Sequence, residues 1–452
     1  MQKISIIIVE KYFELWYNNW KLLKKLGDFV NTYSYSEISK GVKFLCVKSQ
    51  KFKTNYVKVD FYLPIDENLA AQNVLATFLG HTSKKYNTFK SFNRKLDELY
   101  GAELDTGISC VGEKIKIHFD LEMIDDKFAL NGECISKDAI DFLVDILKNP
   151  NCQNECFNEI ETEREIRFTL ETLDASKNDK RAYALSRLRY LMCQNEPYGI
   201  DREKLYNDVK NLDGKRLYSA YIDMLKSSTI VITACGTLDE DLLREKFMEF
   251  INSISDRSPK ELNTVFIDKA SETKYFKETM QVNQAKLVMG LRSGMESSDD
   301  NYYAFRVMTD IFGGGPYSRL FLNVREKMSL CYYCSSRLVR DKGIIFIQSG
   351  IENENYEPAL KEILNQLKIM QNGEFTKDDF DSSLMALSDA FRGVEDSPSA
   401  ICVYYASQAF DKCLLSGRDF AHKILHVTRE QVTECAKKIT IDSVYLLSGE
   451  EN

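Results

Sequence analysis

The chain has 452 residues, 44% of them hydrophobic, with only 7 Pro and 21 Gly, which excludes a disordered or collagen-like protein. Its 60 Lys and Arg against 68 Asp and Glu leave a net charge of −8, a poor balance for a general nucleic-acid binder, which needs clustered cations to neutralise phosphates. At roughly 150 residues per domain, the length points to more than one domain.

The first apolar run, Ile4 to Val9, stops at Glu10. It is too short to span a membrane and lacks the small-residue cleavage site of a signal peptide, so a cytoplasmic protein with reduced cysteines is expected. The 12 Cys then serve mostly as small core residues, and Cys331-x-x-Cys334 lacks the second pair that a structural zinc site needs. Between residues 11 and 30, Trp16 and Trp20 sit four apart among Phe13, Leu23, Leu26, Lys21, Lys24 and Lys25. That amphipathic basic pattern reads as a short helix packed on the main body, and residues 1–34 are set apart as an N-terminal extension.

From residue 54 to 63 the chain alternates apolar and polar, as a half-buried strand does. A polar turn around Pro64 to Asn68 follows, and then Leu69, Ala71, Val74, Leu75, Phe78 and Leu79 recur at helical spacing. Next come a hairpin turning near Gly112, a helix over 141–149 and a charged helical stretch led by Phe157. The order then returns. Leu287, Met289 and Leu291 alternate, a polar turn follows, and a helix runs through Phe305, Val307, Met308, Ile311 and Phe312. A hairpin near Gly343, a helix over 360–369 and a charged stretch led by Phe375 complete the copy. Leu63 and Leu291 are equivalent positions, 228 residues apart. The expected fold class is therefore α+β, with two homologous domains, each a mostly antiparallel sheet with helices packed on one side. Their expected bounds are 35–250 and 280–452, with 251–279 as linker, because SISDRSPKEL is the most loop-like run of the chain.

Only four histidines are present: His81, His118, His422 and His426. No HExxH or HxxEH occurs, so no intact helical zinc-protease site exists. His422 and His426 lack a nearby acid and read as a solvated helix face, and His118 in KIKIHFDL reads as structural. There is no G-x-S-x-G or Walker A pattern, and Gly313-Gly314-Gly315-Pro316 lacks the later glycine of a dinucleotide loop.

Taken in order, these motifs resemble those of the pitrilysin/insulinase-type zinc peptidases, the inverted-motif zincins, over about residues 35 to 445. Active members carry H-F-L-E-H on the helix after the first strand, with two zinc-binding histidines and a glutamate base. The matching run here is Thr77-Phe78-Leu79-Gly80-His81, so the first ligand is Thr77, the base is Gly80, and only His81 survives. A third ligand is a glutamate on a later helix. Counting from Glu163-Arg164-Glu165-Ile166, its register falls on Leu170, and Glu171 is displaced by about 100° around the helix. Glu196-Pro197-Tyr198-Gly199 is similar to the family's H-P-Y-G. No metal, no cofactor and no catalytic residue are expected in this chain.

The second half keeps its signature. GGGPYSRLFLNVREKMSLCYY, at 313–333, resembles the segment whose Arg and Tyr reach the substrate carbonyl in the catalytic half. The resemblance implies substrate-binding roles for Arg325, Tyr332, Gly314 and Gly315. An Arg and a phenol suit that role because both donate hydrogen bonds to developing negative charge. The local alternative is that Arg325 pairs with a neighbouring acid and Tyr332 packs in a sheet. The implied function is the non-catalytic subunit of a heterodimeric zinc metallopeptidase. Its partners would be an active zinc-peptidase paralogue and a peptide substrate, with neither nucleic acid nor membrane, and a homodimer of the isolated chain stays open. The alternative is a peptide-binding or scaffolding protein with no peptidase partner.

Overall fold

A computed structural model of the chain describes residues 32–296 and 298–449; the tryptophan-bearing stretch at 11–30 lies outside the described residues. The first half contributes β1 (Thr32–Ser39), β2 (Val42–Lys48), β3 (Thr54–Pro64), β4 (Glu103–Val111) and β5 (Lys114–Ile124), a separate short ladder of β6 (Cys152–Gln153) and β7 (Cys156–Phe157), and then β8 (Thr229–Gly236). Its main sheet has the order β1-β2-β8-β3-β5-β4. The second half contributes β9 (Lys274–Thr279), β10 (Ala285–Arg292), β11 (Cys331–Val339), β12 (Ile344–Ile351) and β13 (Thr440–Ser448), in the order β11-β12-β10-β13-β9.

The two sheets share one topology. In each, a central strand (β3 or β10) lies antiparallel between a hairpin strand (β5 or β12) and a late strand (β8 or β13). The late strand then pairs parallel with β2 or β9. The 228-residue offset holds side chain by side chain: Val59, Phe61 and Leu63 match Leu287, Met289 and Leu291, and all six are fully buried. The hairpin glycines Gly112 and Gly343 both have φ of 58°, a left-handed turn conformation in which a Cβ is strained.

The helices of the first half are α1 (Leu69–Phe78), α2 (Phe89–Glu98), α3 (Ile135–Lys148), α4 (Glu159–Asn178), α5 (Lys180–Met192), α6 (Arg202–Lys210), α7 (Gly214–Ser227) and α8 (Glu240–Asn252). Those of the second are α9 (Tyr302–Gly313), α10 (Tyr356–Asn372), α11 (Lys377–Gly393), α12 (Pro398–Ser407), α13 (Gly417–Leu425) and α14 (Arg429–Lys437). Each sheet is hydrophobic toward its own helices. Val57, Val59, Phe61 and Leu63 meet Val74, Leu75, Phe142, Leu143, Met224 and Phe247 on one side. Leu287, Met289 and Leu291 meet Val307, Met308, Ile311 and Ile363 on the other.

The opposite face of each sheet takes a helix from the other half. Asp179 caps α5 by accepting the N–H groups of Arg181 and Ala182. On that helix Ala184, Leu188 and Met192, spaced at i, i+4 and i+8, pack on Val288, Phe346, Tyr445 and Leu447 of the second sheet. In return α12, started by Ser397 with Pro398 in its first turn, places Ile401, Cys402 and Tyr405 on Leu45, Val47, Tyr56 and Cys235 of the first. The halves are thus clasped by exchanged helices as well as joined by the chain. Among the described residues no helix is long and apolar enough to cross a membrane.

Candidate functional site

Helix α1 ends at Phe78, so the run Thr77 to His81 lies where the helix gives way to a turn. The Thr77 hydroxyl donates to the Val74 carbonyl, 3.0 Å away, and is used within its own helix. A Cβ at Gly80 would stand 2.3 Å from Thr106 Oγ1 on β4, so the Thr106 side chain fills the volume a glutamate base would need. The remaining imidazole is already engaged: His81 Nδ1 is 3.2 Å from Glu165 Oε1 on α4. Arg164 Nε donates to the same oxygen at 3.0 Å. Burial alone would raise the Glu165 pKa, but the hydrogen bonds and charges of His81 and Arg164 outweigh it and hold the carboxyl below its usual range.

Leu170 packs against the first core and Glu171 is exposed. What remains is one imidazole and one carboxylate bonded to each other. A zinc site needs three protein ligands converging on one point with a further position open. The residues present do not fit that ion. The part played by Glu165 was not read from the sequence, although a signal was there. Glu161 and Glu165 are four apart on α4, and both face the end of α1, where Thr82 Oγ1 lies 3.4 Å from Glu161 Oε2.

In the second half, residues 320–327 form a wide helical turn, with the Met328 N–H reaching back five residues to the Asn323 carbonyl. This turn leads into β11, the edge strand of its sheet. The register slips between Cys331 and Tyr333, so Tyr332 is bulged out of the ladder and is 61% exposed. Its hydroxyl donates to Glu352 Oε1 at 2.7 Å, and that bond pushes the phenol pKa up. The Arg325 guanidinium lies 4.5 Å from the Phe321 ring centroid and 3.5 Å from the Glu326 carboxylate. Arg325 and Tyr332 line one surface hollow of about 440 Å³, together with Ser329, Glu352 and Asn355. Gly314 and Gly315 do not line it. Gly314 closes α9 through its N–H to the Asp310 carbonyl at 2.8 Å, and Gly315 lies against the Tyr317 ring.

Residues 211–387 match the family model of the Peptidase M16 inactive domain. Over 406 residues, 90% of this chain and 95% of the relative, the sequence is 27% identical to the protein of Bacillus subtilis named probable inactive metalloprotease YmfF. The chain is similar to the M16 peptidases. Its fold is shared with a conserved protein from Enterococcus faecalis, at a TM-score of 0.84 and 24% identity over 93% of this chain and 99% of that one. The Peptidase M16 inactive domain from Pseudomonas fluorescens follows the same fold, with a TM-score of 0.75, 16% identity, and 93% and 99% of the two chains covered.

In this chain the EPYG run has a structural task. Glu196 is held by Arg292 of β10 in a two-pronged ion pair, at 2.5 and 3.2 Å, and by Lys342 at 2.5 Å. Lys342, fully buried before Gly343, also binds Glu113 at the tip of the first-half hairpin, 2.6 Å away, and the carbonyl of Val265. Arg292 Nε donates to Asp442 at 3.0 Å. The chain thus buries two cations among three carboxylates where both halves and the linker meet. Burial would raise the Glu196 pKa, yet the bonds from Arg292 and Lys342 keep it low. The neighbouring Cys193 thiol is pushed up to about 12, by burial first and then by the Glu196 charge.

Two further clusters carry less. Asp105, His118 and Asp120 bring three donor atoms within 4.8 Å of one another. The Lys58 ammonium already binds Asp120 at 2.7 Å and lies 3.0 Å from Asp60, which supplies the positive charge of that cluster. His426 Nδ1 is 2.8 Å from the His422 carbonyl on an exposed helix end. All 12 cysteines are free thiols.

Proposed function

We propose that this chain is the non-catalytic subunit of a heterodimeric zinc metallopeptidase. In this reading its two peptidase-like units, 35–250 and 280–452, close one side of a peptide-processing chamber in the cytoplasm. One observation carries the proposal: Arg325 and Tyr332 stand together at an exposed hollow beside an edge strand, while Thr77, Gly80 and His81 offer zinc no set of three converging ligands. Two hydrogen-bond donors of this kind have no reaction to serve inside the chain. An active partner would bring the metal and the base, and the peptide would add as a strand to a sheet edge of that partner. Arg325 and the Tyr332 hydroxyl would then donate to the carbonyl oxygen as it gains negative charge. Tyr332 would exchange its bond to Glu352 for that oxygen.

The test is co-purification from the native cell followed by mass identification. A stoichiometric paralogue with an intact H-x-x-E-H helix supports the proposal. Recovery of the chain with peptides but no such paralogue supports the scaffolding alternative instead.

A further inference from the structure

Residues of β3, β4, β5, β11 and β12, with α5, α9, α12 and residues 262–266, line a cleft of about 1110 Å³. Its walls carry seven Lys and Arg side chains against four Asp and Glu. Three of those acids are matched: Asp60 stands 3.0 Å from Lys58, Asp341 binds Lys114 at 3.0 Å, and Asp411 binds Arg340. Lys116, Arg189, Arg306 and Arg337 are left, and among the described residues none of the four has a carboxylate within ion-pair distance. Arg189 Nε is buried and has no hydrogen-bond partner, while its guanidinium lies 5.2 Å from the Tyr198 ring centroid.

A cationic wall of this kind runs against the composition of a chain with net charge −8, so it is not an overflow of surface lysines. A buried donor without a partner costs free energy that an anionic acceptor recovers. Three of the four unmatched groups are guanidinium forks, whose planar geometry fits carboxylates two bonds at a time. Apolar walls from Leu185, Phe346 and Phe410 interrupt the charges, which suits a chain with spaced acidic side chains better than a continuous phosphate backbone.

We propose that the cleft binds an acidic peptide segment, with its Asp or Glu side chains on Arg189, Arg337 and Lys116. This goes beyond the role proposed for Arg325 and Tyr332, whose hollow shares no lining residue with the cleft. The test uses the full chain without any partner and three fluorescent peptides of equal length, Glu-rich, Gln-rich and Lys-rich, read by anisotropy. The Glu-rich peptide is expected to bind at least about tenfold more tightly than the other two and to weaken as salt rises. Arg337→Gln, at an exposed side chain, and Arg189→Gln should each weaken it about three- to tenfold, and the first keeps the test valid if the second fails to fold. Equal binding of Glu-rich and Gln-rich peptides overturns the acidic preference that the proposal states. Binding of no peptide overturns the cleft as a peptide site. Displacement of the Glu-rich peptide by single-stranded RNA at equal charge overturns the choice of peptide as ligand.

Discussion

The ammonium of Lys342 lies 2.5 Å from the carboxylate of Glu196, and the two side chains come from opposite halves of the molecule. Both are essentially fully buried, so neither charge is screened by water. Removing Lys342 leaves Glu113 buried without its ion-pair partner and Glu196 with Arg292 alone, and breaking a buried pair typically costs about 3–5 kcal/mol. Lys342→Met keeps the length of the side chain and leaves Glu113 and Glu196 facing each other. A drop of at least several degrees in the thermal midpoint is expected, with faster proteolysis in 251–279. Lys377→Met, which breaks only an exposed pair with Asp381, should leave the midpoint nearly unchanged. Equal midpoints for the two variants would contradict the latch.

The same latch sets a pH dependence. Glu196 has a folded pKa below its ordinary value, so its contribution is present above the unfolded value of about 4.3 and is lost as pH falls through the folded pKa. Denaturant titrations of the native chain and Glu196→Gln should therefore differ most near neutrality. The gap should shrink on acidification below about pH 4. A gap that widens on acidification would show that Glu196 is not held by Arg292 and Lys342.

At the degenerate helix, Gly80 and Thr106 exclude each other's side chains. Gly80→Glu is expected to destabilise the first half by about 1–3 kcal/mol through overpacking. Thr106→Ala should relieve most of that loss, because the atoms at 2.3 and 2.9 Å are removed and only the Cβ at 3.2 Å remains. Untagged protein should carry no stoichiometric zinc at Thr77–His81 by elemental analysis. Close to one zinc per chain, abolished by His81→Ala, would contradict the account of this site.

The architecture was legible because both halves write the same strand, helix and hairpin pattern in apolar residues: Phe61 and Met289 occupy one position of one repeat. The departure of Thr77 and Gly80 from the H-x-x-E-H pattern was equally visible, since a residue type is a fact of sequence. The exchange of α5 and α12 was not, because Leu188 and Ile401 look like ordinary helix positions until the sheet they cover is known. Neither was the latch. Lys342 precedes a turn glycine and reads as a solvated hairpin residue, and only tertiary packing brings it to Glu113 and Glu196. Glu165 escaped because the ligand register was counted to Leu170, whereas contact with His81 is set by how α4 crosses α1.

The central claim is that Arg325 and Tyr332 act on a substrate held by another chain, and turnover by a reconstituted pair tests it most directly. With the active partner and a peptide substrate, Tyr332→Phe and Arg325→Ala in this chain should each lower kcat about a hundredfold to a thousandfold, with folding and assembly unchanged. Tyr332→Phe keeps the ring, so it separates lost donation from lost packing, and His81→Ala should leave the rate of the pair unaltered. Unchanged turnover for both Arg325→Ala and Tyr332→Phe would contradict the trans-acting role.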